Sequence, residues 1–164
     1  MKELLLGLNA CADGLSHVFA QIDRNALASG RLILTPRMLE TAAEILVGER
    51  LCVRDPSIGE DGTISLNVHY NGMLLTYALK IRTLTIGAGR ADGVISYTEQ
   101  RRGGGLSSAI LGLTSKSGLM VALSKYRWLK VDEREIIVCA RSLPMSWKAS
   151  FSGISPSGIF FRVG

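Results

Sequence analysis

Residues 63–86 read TISLNVHYNGMLLTYALKIRTLTI, and the period of two in this stretch decides the class of fold. Ile64, Leu66, Val68 and Tyr70 alternate with Thr63, Ser65, Asn67 and His69, so one face of an extended strand is apolar and the other polar. Asn71-Gly72 then supplies a type I′ hairpin signal, because both central residues of that turn need positive φ. The return strand sets Met73, Leu75, Tyr77, Leu79 and Ile81 on one face. Its phase slips near Thr83, after which Leu84 and Ile86 resume the pattern, and such a slip predicts a bulge.

Outward from this hairpin, RLCVR (Arg50 to Arg54) is a strand leading into a loop, DPSIGEDG, and RLILT (Arg31 to Thr35) is a short strand. Thr35-Pro36 reads as a helix N-cap followed by proline at the first helical position, with the helix running from Pro36 to Val47 and closed by Gly48. VISYTEQ (Val94 to Gln100) is another strand, and Leu106 to Ser124 reads as a helix with a weak point at Ser115 to Gly118. RWLKV pairs with EIIVCAR, and WKASFSGI pairs with IFFRV. Before all of these, Leu4, Leu8, Cys11, Leu15, Val18 and Ile22 mark one face of an amphipathic helix that stops between Asn25 and Gly30. The expected architecture is α+β: a long, strongly bent antiparallel sheet packed on two or three helices. It forms a single domain over 1–164, with residues 1–30 as an N-terminal amphipathic helix and 31–164 as the α+β body.

The chain has 164 residues, 47% of them hydrophobic but only 6% aromatic, so its apolar excess is aliphatic. That composition excludes a disordered chain and suits a closed core, an apolar cavity or a membrane-facing surface. The net charge of +5 points to anionic partners, yet the basic residues are scattered and no run of five like charges occurs. Cys11, Cys52 and Cys139 are odd in number and far apart, so they read as reduced, mostly buried thiols of a cytosolic protein rather than as a metal site. The apolar run near the N-terminus is short and broken by Gly7 and Asn9, which argues for an unprocessed chain.

The segment IGAGRADGV (Ile86 to Val94) looks like a phosphate-binding loop, but Asp92 stands where a dinucleotide fingerprint needs its third glycine, and a strand follows instead of a helix. Ala91-Asp92-Gly93 is then a turn between antiparallel strands. RRGGGLSS (Arg101 to Ser108) is the better anion candidate, with Arg101 and Arg102 beside the start of the next helix. Tyr126-Arg127-Trp128-Leu129-Lys130 mixes aromatic and basic residues, more often a sheet-edge feature than a nucleic-acid platform, so nucleic acid is disfavoured as a partner. His17 and His69 belong to no ligand or catalytic pattern, and no nucleophile motif is present; no catalytic residue, metal or cofactor is expected.

Strand–Thr35-Pro36–helix, Asp61-Gly62 opening a long alternating strand, the hairpin closed by Leu143-Pro144, and the final GISPSGIFFRV resemble the bacterial periplasmic lipid-binding domains related to tubular lipid-binding (TULIP) proteins. The resemblance covers Arg31 to Val163. It implies a long curved sheet wrapped around a helix, leaving an apolar groove for acyl chains, with a binding rather than a catalytic role. The leading expectation is thus noncovalent binding of a lipid or similarly apolar ligand. Its lining would be Leu66, Val68, Leu75, Tyr77, Leu79, Ile110, Leu113 and Met120, with Arg101, Arg102 and Lys116 toward an anionic headgroup and peripheral contact with an anionic membrane. The alternative is a structural or protein-interaction module that uses the N-terminal helix for partner binding or self-association.

Overall fold

Direct pairing of Tyr70 with Met73 leaves only Asn71 and Gly72 to connect two strands that stay in register down to Ile64 opposite Leu79. A two-residue connection of this kind fixes register, and the alternation then keeps every apolar side chain on one face. The computed structural model describes residues 21–47, 52–70, 73–102, 117–142 and 148–164. The expected helix over 3–22, the Asn71-Gly72 turn itself and the glycine run after Arg102 fall outside these residues almost entirely.

Among the described residues nine antiparallel strands form one open sheet: β1 (Arg31–Leu34), β2 (Cys52–Ile58), β3 (Ile64–Tyr70), β4 (Met73–Gly87), β5 (Arg90–Arg102), β6 (Leu129–Val131), β7 (Glu135–Ala140), β8 (Lys148–Ser155) and β9 (Gly158–Val163). The described helices are few and short beside it: α1 (Arg24–Ala28), α2 (Pro36–Val47) and α3 (Gly118–Leu123). The principal strand order is β1-β9-β8-β4-β5-β7-β6, and β2 and β3 branch from the same side of β4. Strand β4 is the spine. It pairs with β5 along its whole length, with β3 through Met73 to Leu79, and with β8 through Thr85 to Gly87. Between those two partners the β4–β5 register shifts from Ile81 to Thr83, which is the bulge expected from the phase slip.

Helix α2 has the bounds expected from its sequence, and the Thr35 hydroxyl accepts the Met38 amide at 3.3 Å, as an N-cap should. Elsewhere the element ends moved. Strand β2 continues through Asp55-Pro56-Ser57 where a loop was expected. Its register skips between Arg54 and Ser57, with Asp55 at φ 52°, so Pro56 sits in a bulge where no ladder donor is required. The turn expected at Ala91 to Gly93 lies instead at Ala88-Gly89, both at positive φ (52° and 73°), and residues 91–93 are paired strand. The Asn25 to Gly30 stop is a new helical turn, α1, capped by the Asp23 carboxylate on the amides of Asn25 and Ala26.

Candidate functional site

Residues directly opposite in an antiparallel pair share a face, so the register traces one surface across the sheet. Leu66 faces Tyr77 and Val68 faces Leu75, while Leu79 stands opposite both Ile64 and Tyr97. Five of the residues expected from sequence therefore do line one face: Val68, Leu75, Tyr77 and Leu79 are buried in the core and Leu66 is half-buried. The same face continues past the bulge through Ile81 and Ile95, then Leu84 and Gly93, then Ile86 and Ala91. A Cβ on Gly93 would come within 2.8 Å of Leu84 Cδ1, so glycine lets the Leu84 side chain lie over β5. Strands β7, β6, β8 and β9 carry it outward through Ile136, Val131, Ala149 and Phe161.

Burial changes along this surface. Met73, Leu75, Tyr77, Leu79 and Tyr97 are buried, whereas Ile81, Leu84, Ile86 and Ile95 only flank the core and are half-buried. Helix α3 adds Leu119 and Leu123 to the buried cluster, and Met120, expected in the lining, is half-buried beside them. Ile110, Leu113 and Lys116 lie outside the described residues.

A polar knot is set into the buried end. Glu99, on the inner phase of β5 opposite Tyr77, has a side chain only 9% exposed. Its Oε2 accepts the Tyr77 hydroxyl and the Gly118 amide, each at 2.7 Å, and its Oε1 accepts Arg101 Nε at 2.6 Å. Charge-assisted bonds of this length are the strong ones, and the carboxylate also meets the amide that opens α3. Beside it, the Tyr97 hydroxyl bonds the Ser117 hydroxyl at 2.6 Å and donates to the Asp132 carbonyl. Ser117 in turn caps α3 by accepting the Met120 amide at 3.1 Å. Burial, and then the bond to Glu99, push the Tyr77 phenol well above its ordinary range, and burial raises Tyr97 as well. The arrangement pins the start of α3 to the β4–β5 hairpin without leaving a buried charge unpaired.

This knot also divides the two arginines expected to act together. Both belong to β5 rather than to a loop, and consecutive strand residues point to opposite faces. Arg101 turns inward to Glu99, while Arg102 is exposed on the other face. Glu99 itself was missed from sequence. Tyr97, Glu99 and Arg101 share one phase, a signal that becomes visible only once the strand extends past Gln100. Cys52 and Cys139 are exposed, against the expectation of buried thiols, because each occupies the outward phase of its strand beside inward Val53 and Ala140. His69 is exposed on the outer face, as the alternation implied, and Cys11 and His17 lie outside the described residues. Among the described residues no helix is long and apolar enough to cross a membrane.

Comparison of the chain with family models, with curated proteins and with solved structures finds no match.

Proposed function

We propose that the chain binds a lipid or similarly apolar ligand, without catalysis, along the inner face of its sheet. The observation that carries this reading is the half-buried aliphatic row from the bulge onward: Ile81, Leu84, Ile86 and Ile95 continue the phase of the buried core while keeping part of their surface exposed. On this reading the register shifts in β2, β4 and β8 bend the sheet strongly, and α2 and α3 form the wall opposite it. An acyl chain laid across the row removes aliphatic surface from water on both partners, at roughly 0.8 kcal/mol per buried methylene. The buried side chains Val68, Leu75, Tyr77 and Leu79 then form the floor at the closed end, with the Glu99 knot holding α3 in place.

Native mass spectrometry of protein purified from cells should show co-purifying lipid, and a fluorescent fatty acid should be taken up saturably. Ile86→Asp, which sets a charge in the open row, should abolish that uptake while leaving the fold intact by circular dichroism. A clean apo mass together with no uptake by the unsubstituted chain overturns the reading.

A further inference from the structure

The corner where α3 runs into β6 carries a run of features that the sheet face does not use. From Ser117 to Val131 the sequence contains Lys125, Arg127 and Lys130 and no acidic residue. All three cations are exposed. Val121, on the outer side of α3, is 64% exposed, the most exposed large apolar residue described, while its neighbours Leu119 and Leu123 face the core. Lys125 stands just past the end of α3, four residues after Val121, with the C-cap Ser124 still at helical dihedrals (φ −60°, ψ −24°).

The Leu129 amide donates to the Tyr126 carbonyl at 3.2 Å, so Arg127 and Trp128 occupy the tip of a tight turn. The Tyr126 and Trp128 rings pack at 5.6 Å between centroids, tilted by 54°, and Lys125 Nζ lies 5.2 Å from the Tyr126 centroid. Acidic residues resume at Asp132 and Glu133, but the Asp132 carboxylate is turned onto the amides of Arg134 and Glu135, both at 2.7 Å.

We propose that this α3–β6 corner is a docking surface for an anionic lipid bilayer, with Lys125 and Arg127 against headgroup phosphates and Val121 dipping below them. Charge complementarity chooses the partner class, since basic residues close to an anionic leaflet each add to its attraction. The exposed valine and the paired Tyr and Trp rings choose a membrane over a nucleic acid. Amphipathic aromatic rings concentrate at the headgroup level, whereas a base-stacking platform needs an open ring face. Here the Tyr126 ring is already engaged by Lys125 and Trp128. The inference is independent of ligand binding in the sheet, because it rests on a different surface.

The test is cosedimentation of the full chain with vesicles of phosphatidylcholine, alone or mixed with phosphatidylglycerol. Binding is expected only to the mixed vesicles and should weaken steeply with salt. Lys125→Ala/Arg127→Ala should lower affinity by roughly tenfold or more, whereas Arg31→Ala/Arg162→Ala, the same charge loss at exposed positions on the opposite edge of the sheet, should lower it far less. Val121→Asp should reduce vesicle binding while leaving fatty-acid uptake unchanged. Equal loss in the two double variants would reduce the effect to net charge and overturn the site. Binding to poly(U) that is tighter than to vesicles and indifferent to Val121→Asp would assign the corner to RNA and overturn it as well.

Discussion

Within the single strand β4, two stretches written in the same alternating pattern meet different fates. From Met73 to Leu79 the inward residues are buried, while from Ile81 to Ile86 they are half-buried, although the aliphatic side chains of the two stretches are alike in kind. What differs is the neighbourhood. The first stretch pairs with β3 on one side and meets α3 through the Glu99 bridge, while the second begins at a bulge, where β3 has ended and β8 not yet begun. Alternation chooses a face; only the element laid over that face makes it a core. On the function proposed above, the difference separates buried core from ligand-binding row along one strand.

The sharpest way to break this comparison is a matched pair of truncations. Leu75→Ala should cost about 2–5 kcal/mol in urea unfolding, as for a buried leucine leaving a cavity, and Ile86→Ala should cost about 1 kcal/mol because part of its surface is already in water. Equal losses would mean that the open row is as much core as the rest. Next in size, Glu99→Ala removes the acceptor shared by Tyr77, Arg101 and Gly118, and should cost about 3 kcal/mol, as for one lost partner of a buried ion pair. A loss below about 1 kcal/mol would show the knot to be solvated, on the scale of an ordinary exposed pair.

The raised tyrosines give a smaller effect with a definite sign. In the folded chain Tyr77 and Tyr97 hold their protons to higher pH than in the unfolded chain. Above the unfolded phenol value of about 10, the folded state therefore binds more protons, and stability falls as pH rises. Each tyrosine contributes a slope of up to about 1.4 kcal/mol per pH unit, so Tyr77→Phe should roughly halve the alkaline loss measured by unfolding between neutral and alkaline pH. The smallest effect is a gain. Ala88 adopts φ 52° in the β4–β5 turn, where a side chain is disfavoured, so Ala88→Gly should raise stability by about 0.5–1 kcal/mol in the same assay.

Much of the fold was legible because its signals are local. The Thr35-Pro36 cap, the period of two from Ile64 to Ile81 and the slip at Thr83 each act within a few residues, and each element stands where those signals put it. The errors fall where a partner strand sets the boundary. Strand β2 runs on through Pro56 because β3 is there to pair with Ser57 and Ile58, and β5 reaches Arg102 because Leu74 and Leu75 continue opposite it. A strand ending at Gln100 kept Arg101 out of the phase of Tyr97 and Glu99 and made Arg101 and Arg102 look like a matched pair. For the candidate site, the sequence identified the face but not its division into closed and open parts, since cover depends on chain far away in sequence. The exposed thiols carry the same lesson: cysteine composition predicted burial, and the strand phase overruled it.

The placement of β1 sets the order in which such a molecule can assemble. Its only strand partner among the described residues is β9, with Leu32 opposite Phe161, so the first strand waits for the last. The β3–β4–β5 meander closes through two short turns and can form early, whereas the β1–β9 seam requires nearly the whole chain to be in place. Long-range pairing of this kind slows folding into the millisecond-to-second range typical of sheet proteins, and leaves unpaired apolar strands exposed in the meantime. A chain cut short before Gly158 would therefore keep its β3–β4–β5 hairpins but never close the seam between β1 and β9.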